Sequence, residues 1–293
     1  MEEIVSAPLA GSSGKILLVE DNLVNQAVAL GMLNRLQGYD VVVANNGNDA
    51  LEALAAHQGR DFDVILMDCH MPELDGFEAT MEIRKREQAS NSKRIPIIAL
   101  TANAMEQDRE DCLNAGMDDH LAKPLSRQQL KAKLDRWMPA NVSSRSDARG
   151  LAAVTPAHDL DVLDRQVLSQ LRELENADDP NLLSRVLQLY LDESPKLIDK
   201  LKQAVLQNDA REIELSAHTL KSSSANIGAT ILTGLCGEIH LAIRALDVDR
   251  AGQIFSQVEI AFGHVQTALT TEISLLAANP EAITASASPG WKT

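Results

Sequence analysis

Five polar residues follow short apolar runs in the first half of the chain: Glu20, Asp21, Asp68, Thr101 and Lys123. Such runs are typical of strands buried on both faces of a parallel sheet, and the carboxyl ends of these strands line one edge. We therefore expect the five side chains to converge on one cleft. Three crowded carboxylates repel one another unless a cation joins them, and Mg²⁺ prefers oxygen ligands. In such a cleft Asp68 can act as a nucleophile toward a phosphoryl group, whose oxygens Thr101 and Lys123 can stabilise.

Each of these residues also has a structural interpretation. Glu20 and Asp21 can cap a helix that begins near Asn22, and Asp68 can form a turn at the end of its strand. Thr101 can be another helix N-cap, and Lys123 can be a solvated lysine. When each residue is considered alone, the structural interpretation is favoured for Thr101 and Lys123. Their placement at successive strand ends favours the chemical one.

A second group of reactive residues surrounds His218. Lys221 and Ser222 follow it by three and four residues, which places them on the same face of a predicted helix. We expect His218 to be exposed, and a neutral imidazole is a competent nucleophile near physiological pH. Lys221 can neutralise the oxygens of an incoming phosphoryl group. Ser222, Ala225 and Gly228 are small, so another protein can approach closely over the histidine.

The elements that would position the first group alternate between strand and helix. Between residues 15 and 138 five apolar runs predict strands, and the segments between them predict helices at about 22–37, 47–57, 76–88, 104–115 and 126–137. The pattern predicts an α/β fold, a doubly wound five-stranded parallel sheet with helices on both faces. Gly38 and Gly116 stand where helix C-caps are expected, and Ser126 stands at an expected N-cap.

The second half of the chain has no strand pattern. Residues 139–160 are rich in Ser, Ala, Arg and Pro and predict a linker. Helices are predicted at about 162–176, 180–207, 209–226, 229–246 and 249–276, which indicates an all-α antiparallel helical bundle over 161–277. Pro195 is expected to kink or break the second of them. The ends, 1–14 and 278–293, are expected to be disordered.

The composition narrows the class of protein. The formal net charge of −15 over 293 residues argues against nucleic acid or an anionic membrane as a general partner. Cys69, Cys112 and Cys236 are far apart in sequence, so neither a disulfide framework nor a structural zinc site is expected. No apolar run approaches the length of a membrane span, and the N-terminus lacks the pattern of a signal peptide. We expect a cytoplasmic protein.

Residues 15–138 resemble the receiver domains of two-component response regulators, which have the CheY-like fold. The resemblance rests on four motifs: ILLVEDN (16–22), DVILMDCHMPELDGFEAT (63–80), PIIALTANA (96–104) and AGMDDHLAKPL (115–125). It implies that Asp68 is the phosphoacceptor. It also implies that Mg²⁺ is held by Asp21, Asp68 and the backbone carbonyl of His70, with Glu20 acting through water.

By the same resemblance Thr101 and Lys123 bind the phosphoryl group, and the Lys123–Pro124 peptide bond is usually cis. His120 stands where the family usually has Tyr or Phe, so we do not expect the family's swinging aromatic switch here, and onward transfer is favoured over allosteric signalling. His70 is unusually large beside the acceptor. It either influences hydrolysis or is simply an exposed loop histidine.

Residues 161–277 resemble histidine phosphotransfer (HPt) domains, chiefly through AHTLKSSSANIGA at 217–229. The resemblance implies that His218 is a phosphoacceptor. Ser222 replaces a commoner glycine, for which we expect only a modest effect on the approach of a partner. His240 and His264 lack such neighbours, and we interpret them as structural or solvated.

Together the two resemblances predict a phosphorelay intermediate similar to the C-terminal end of hybrid sensor histidine kinases, either free-standing or a piece of one. No Walker-type phosphate loop, kinase ATP-binding boxes or basic recognition helix is present, so the chain would need an upstream histidine kinase and a downstream receiver. We predict that Asp68 accepts the phosphoryl group and His218 relays it. The alternatives are a phosphatase with an aspartyl nucleophile, which usually needs a second Asp where His70 stands, and a scaffold without chemistry.

Overall fold

The computed structural model describes residues 14–57, 61–101, 106–138 and 162–278, with the side chains of 106–108 left out. The predicted linker at 139–160 lies outside the described residues. So do residues 1–13 and 279–293, and with them nearly all of the two ends that were predicted to be disordered.

The first half of the chain forms a five-stranded parallel sheet. Its strands are β1 (Gly14–Val19), β2 (Tyr39–Ala44), β3 (Val64–Asp68), β4 (Ile97–Thr101) and β5 (Asp119–Ala122). Their order is β2-β1-β3-β4-β5, and every neighbouring pair is parallel. After β1, the chain adds β2 on one side and then adds β3, β4 and β5 on the other side. The strand order therefore switches between β1 and β3, and ligands of such sheets bind at the carboxyl edge near this switch point. The predicted α/β fold is confirmed.

The helices of this half match the predicted segments within a few residues. They are α1 (Leu23–Leu36), α2 (Gly47–Ala56), α3 (Gly76–Ser90), α4 (Glu106–Ala115) and α5 (Arg127–Trp137). Asn22 caps α1, because its side chain accepts hydrogen bonds from the amides of Val24 and Asn25. Ser126 does stand at the N-cap of α5, but its side chain makes no capping hydrogen bond.

The second half contains helices and turns and, among its described residues, no strand. It comprises α6 (Arg165–Arg172), α7 (Leu182–Gln207), α8 (Ala210–Asn226), α9 (Thr230–Arg244) and α10 (Val248–Ala278). Asn208, in the left-handed conformation, is the C-cap of α7, and Asp209 is the N-cap of α8. The expected break at Pro195 was wrong, because α7 continues through it. Proline has no backbone N–H, so the helix lacks one hydrogen bond at Pro195. The packing of the buried residues of α7 on both sides of Pro195 outweighs this loss.

The two halves pack directly against each other. A single apolar cluster runs from one face of the sheet, through α1, into the core of the bundle, and includes Val28 and Met32 of α1 with Leu182 and Leu183 of α7. Gly31 permits the close approach, because a Cβ at this position would lie 2.6 Å from Cδ2 of Leu182. The opposite face of the sheet packs against a separate cluster.

Two of the three cysteines are close in space although 43 residues separate them. The sulfur atoms of Cys69 and Cys112 lie 3.8 Å apart, and both residues are buried free thiols. Their distance in sequence therefore gave no indication of their proximity in the fold. No helix among the described residues combines the length and the hydropathy that crossing a membrane requires.

Candidate functional site

Four of the five polar residues predicted to meet at the carboxyl edge of the sheet lie close together there: Glu20, Asp21, Asp68 and Lys123. Asp68 ends β3, Glu20 follows β1, and Lys123 follows β5. Nζ of Lys123 lies 2.6 Å from a carboxylate oxygen of Asp68 and 2.6 Å from one of Glu20. Thr101 ends β4 and is buried. The Lys123–Pro124 peptide bond is cis, as the resemblance implied.

The carboxylates of this pocket are crowded and largely removed from water. Burial and the charge of Asp68 raise the pKa of Glu20 to about 7, against the opposing effect of Lys123. Burial and the charge of Glu20 likewise raise the pKa of Asp21 to about 7. Burial also raises the pKa of Asp68, although Lys123 opposes the shift. One lysine therefore does not fully compensate three carboxylates, and the pocket favours additional positive charge.

The same three carboxylates have the arrangement of a metal site. Glu20, Asp21 and Asp68 each offer an oxygen, and these atoms lie within 4.8 Å of one another. A set made only of carboxylate oxygens suits a hard divalent cation such as Mg²⁺. The donor set therefore fits the metal that the resemblance implied.

Gly76 is a structural requirement of the pocket that the sequence interpretation passed over. Its amide donates to the carbonyl of Cys69 at 3.0 Å, which brings the start of α3 against the end of β3. A Cβ at this position would lie 2.0 Å from the carbonyl oxygen of Asp68. Only glycine fits there. The Asp75–Gly76 pair in the motif at 63–80 could therefore have predicted a close backbone approach at the start of α3.

His218 is buried, and the expectation that it would be exposed was wrong. It lies on α8 with 5% of its surface accessible. The sheet edge of the first domain covers it: the rings of His70 and His218 are 4.5 Å apart in an edge-to-face arrangement. His70 also contacts the ring of Phe77 at 5.8 Å, so it is not a free loop histidine. The isolated helix pattern could not reveal this cover, because it comes from another domain.

The surroundings of His218 favour its neutral form. Burial lowers the pKa of His218 well below the ordinary value, and the charges of His70, Lys123 and Lys221 lower it further. Among the described residues, Nε2 of His218 is buried and has no hydrogen-bond partner. No hydrogen bond within the described residues therefore competes for Nε2, and a neutral imidazole is suited to attack on a phosphoryl group.

A polar bridge between the domains was not predicted. Nδ2 of Asn25 on α1 donates to Oε1 of Glu20 at 2.8 Å and to Oγ of Ser222 at 2.9 Å. Oδ1 of Asn25 accepts from Nδ2 of Asn226 at 2.8 Å. Ser222 is thus a direct contact of the first domain rather than merely a small residue.

The other small residues near His218 have separate roles. Gly228 lies against the start of α6. It has a positive φ of 76°, and a Cβ there would lie 2.9 Å from the carbonyl oxygen of Asp164, so glycine is needed to bring α6 against the end of α8. Ser224 is tied to α7 by a 2.8 Å hydrogen bond with the hydroxyl of Tyr190. His240 is buried 3.5 Å from Glu214, whereas His264 is exposed.

Two family models match the chain. The response regulator receiver domain matches residues 16–135, and the Hpt domain matches residues 185–278. Residues 16–135 therefore form a receiver domain, and an Hpt domain follows at 185–278. This combination indicates a protein of two-component phosphorelays, and neither matched family is a kinase domain.

The relatives are much longer proteins. The sensor histidine kinase GacS of Pseudomonas protegens is 27% identical over 257 residues, which cover 88% of this chain and 27% of GacS. Probable histidine kinase 1 of Oryza sativa is 40% identical over 158 residues, covering 44% of this chain and 16% of that protein. The chain thus spans about a quarter or less of the length of these curated relatives.

Among solved structures, the receiver domain of a sensor histidine kinase from Pseudomonas aeruginosa PAO1 is 50% identical and is described with a magnesium ion in its active-site cleft. The match covers 43% of this chain and 97% of that chain, with a TM-score of 0.37.

Proposed function

We propose that the chain is a phosphorelay intermediate in which Asp68 accepts a phosphoryl group from a histidine kinase and passes it to His218 of the same chain. The observation that carries the proposal is the docking of the receiver pocket over the Hpt histidine. His70, two residues after Asp68, contacts the ring of His218, and the charge of Lys123 acts on both side chains. The two candidate acceptors therefore lie on opposite sides of one interface, with His70 between them in contact with both.

The chemistry consists of two phosphoryl transfers. In the first, an oxygen of Asp68 forms a bond to phosphorus as the nitrogen–phosphorus bond of the donor phosphohistidine breaks. In the second, Nε2 of His218 forms a bond to phosphorus as the oxygen–phosphorus bond breaks, and Asp68 returns to a carboxylate. Such transfers depend mainly on position and charge stabilisation. Lys123, Thr101 and Lys221 would supply the stabilisation from this chain.

Glu20, Asp21 and Asp68, with the backbone carbonyl of His70, would hold Mg²⁺, with Glu20 acting through water. When bound, the ion would neutralise negative charge on the phosphoryl oxygens. This part of the proposal can be tested by calorimetry of Mg²⁺ binding, in which Asp21→Asn should weaken the affinity at least tenfold.

The partners follow from the domain types. The upstream partner would be a histidine kinase, and the downstream partner would be a receiver domain that takes the phosphoryl group from His218. The phosphoryl group would leave the chain from the Hpt domain, because a phosphohistidine can transfer its phosphoryl group to an aspartate of another receiver. We place this exchange in the cytoplasm, a setting consistent with the three free thiols.

The test is labelling with a radioactive acyl phosphate and Mg²⁺, comparing the wild type with Asp68→Asn and His218→Gln. Phosphohistidine is acid-labile and base-stable, whereas an acyl phosphate is base-labile, so the stability of the label identifies its site. Acid-labile label that requires both residues is the expected result. Acid-labile label that persists in Asp68→Asn would contradict the order of transfer. Label confined to Asp68 would mean that the domains do not exchange it, and no label at either site would favour a scaffold.

A further inference from the structure

Asn25 has the contacts of a buried connector between the domains. It is 5% exposed, and both its amide nitrogen and its amide oxygen are hydrogen-bonded across the interface, to Ser222 and Asn226 respectively. Its position is set from the receiver side as well, because its backbone amide bonds to the cap residue Asn22 and its side chain bonds to Glu20. The connector is therefore fixed to the acidic pocket itself.

Ser222 completes the connection from the Hpt side. Its hydroxyl donates to the carbonyl of Thr219 at 3.0 Å, which leaves an oxygen lone pair to accept from Asn25 at 2.9 Å. A glycine or alanine at this position would leave a buried N–H of Asn25 without its acceptor. Because unpaired buried donors are unfavourable, the serine specifically stabilises docking of a receiver that carries asparagine at this place in α1.

The docked state also closes His218 to other proteins. His218 is 5% exposed, and the face of α8 that carries it is covered by the receiver of the same chain. Any other receiver that takes a phosphoryl group from His218 must use this same face. The internal receiver and an external one therefore compete for a single surface.

We propose that Asn25, Ser222 and Asn226 form an interdomain lock that selects the chain's own receiver and closes His218 to outside receivers until the lock opens. The inference rests on the proposed function, because it assigns a partner preference to the same site. It predicts that weakening the lock slows transfer from Asp68 to His218 and, at the same time, makes His218 more accessible.

The experiment uses the full chain with Ser222→Ala and Asn226→Ala combined, which leaves every residue of the receiver pocket in place. The matched control is Ser223→Ala, because the hydroxyl of Ser223 bonds to carbonyls of its own helix, those of Thr219 and Leu220. Accessibility is measured as the rate of carbethoxylation of His218 by diethyl pyrocarbonate, resolved by peptide mass spectrometry. The exposed His264 serves as the internal reference.

Relative to His264, the reactivity of His218 should rise about tenfold in the double variant, the scale expected for losing two ordinary hydrogen bonds. It should stay at the wild-type level in Ser223→Ala. Transfer from Asp68 to His218 should slow by a similar factor, while labelling of Asp68 is unchanged. If the double variant loses helical circular dichroism, Asn25→Ala opens the lock from the other domain and should raise the reactivity in the same way.

Unchanged reactivity of His218 in folded variants would overturn the lock, whatever the phosphoryl label does. Increased reactivity with undiminished transfer would overturn its role in selecting the internal receiver. The accessibility measurement needs no phosphoryl group. Failure of the relay itself would therefore be distinguishable. In that case His218 of the wild type would be protected from carbethoxylation but would carry no phosphoryl label.

Discussion

Asp68 and His218 are both buried, but their surroundings handle charge in different ways. Asp68 lies among strand ends of the receiver, with Lys123 at 2.6 Å, the amide of His70 at 3.3 Å and two further carboxylates nearby. His218 lies on one helix, and its Nε2 has no hydrogen-bond partner among the described residues. The receiver site thus carries its own countercharge, whereas the Hpt site depends on the receiver for part of its positive environment. The comparison indicates that the receiver provides charged groups that stabilise a phosphoryl group. The Hpt domain provides a nucleophile that docking must bring to these groups.

The largest effect on the receiver site should come from removing its countercharge, Lys123. In Lys123→Met the hydrogen bonds to Glu20 and Asp68 are lost, and the phosphoryl oxygens lose a positive partner. We expect labelling of Asp68 to fall by about 100-fold or more. Lys131→Met is the control, because Lys131 pairs with Asp135 on the exposed side of α5. Normal labelling of Lys123→Met would show that the pocket does not depend on this charge.

The next largest effect should come from the close backbone approach in the pocket. Gly76→Ala would place a Cβ 2.0 Å from the carbonyl oxygen of Asp68, so α3 must move away from β3. We expect the free energy of unfolding to fall by about 2–4 kcal/mol, as measured by urea denaturation. Gly263→Ala, on α10 where a Cβ meets nothing within 4 Å, should not destabilise the chain. Equal stability of the two variants would contradict the geometry given for this site.

Separating the domains should affect the two acceptors unequally. Gly31→Leu would place a large side chain where α1 meets Leu182, at a position where even a Cβ is 2.6 Å from it. We expect transfer to His218 to slow about tenfold or more, since the tethered sites lose their alignment. Labelling of Asp68 by a small acyl phosphate should continue at the wild-type rate. A parallel loss at both sites would mean that the substitution had disrupted the receiver instead of the docking.

The smallest effect should be confined to the Hpt side. Tyr190→Phe removes the hydroxyl that bonds to Ser224 and leaves that serine on α8 without this partner. We expect the free energy of unfolding to fall by about 1 kcal/mol, with labelling of Asp68 unchanged. An altered rate of labelling at Asp68 would indicate that the two sites are coupled beyond the contacts described above.

The receiver pocket could be predicted from sequence because its residues follow apolar runs, and parallel strands bring their ends together. Glu20, Asp68 and Lys123 were found in this way, without knowledge of the loops between them. The bundle could be predicted as helices, but α7 continues through Pro195 because tertiary packing outweighs one lost hydrogen bond.

The interface could not be predicted, since it depends on how two separate surfaces fit. Asn25 gave no signal within α1, because its partners are 197 and 201 residues away. The burial of His218 was missed for the same reason: a single helix pattern shows which face is polar but not what covers it. Gly31 could have been noted as a glycine inside a helix, but only the position of Leu182 explains it.

The central claim is transfer from Asp68 to His218 within one chain, and its most direct test compares the wild type with an equimolar mixture of D68N and H218Q chains. The mixture can relay only between chains, whereas a tether gives an effective concentration on the order of millimolar. At about 1 µM protein the wild type should transfer at least about 100-fold faster than the mixture, at a rate that does not change on dilution. A mixture that matches the wild type, with both rates proportional to concentration, would contradict the claim.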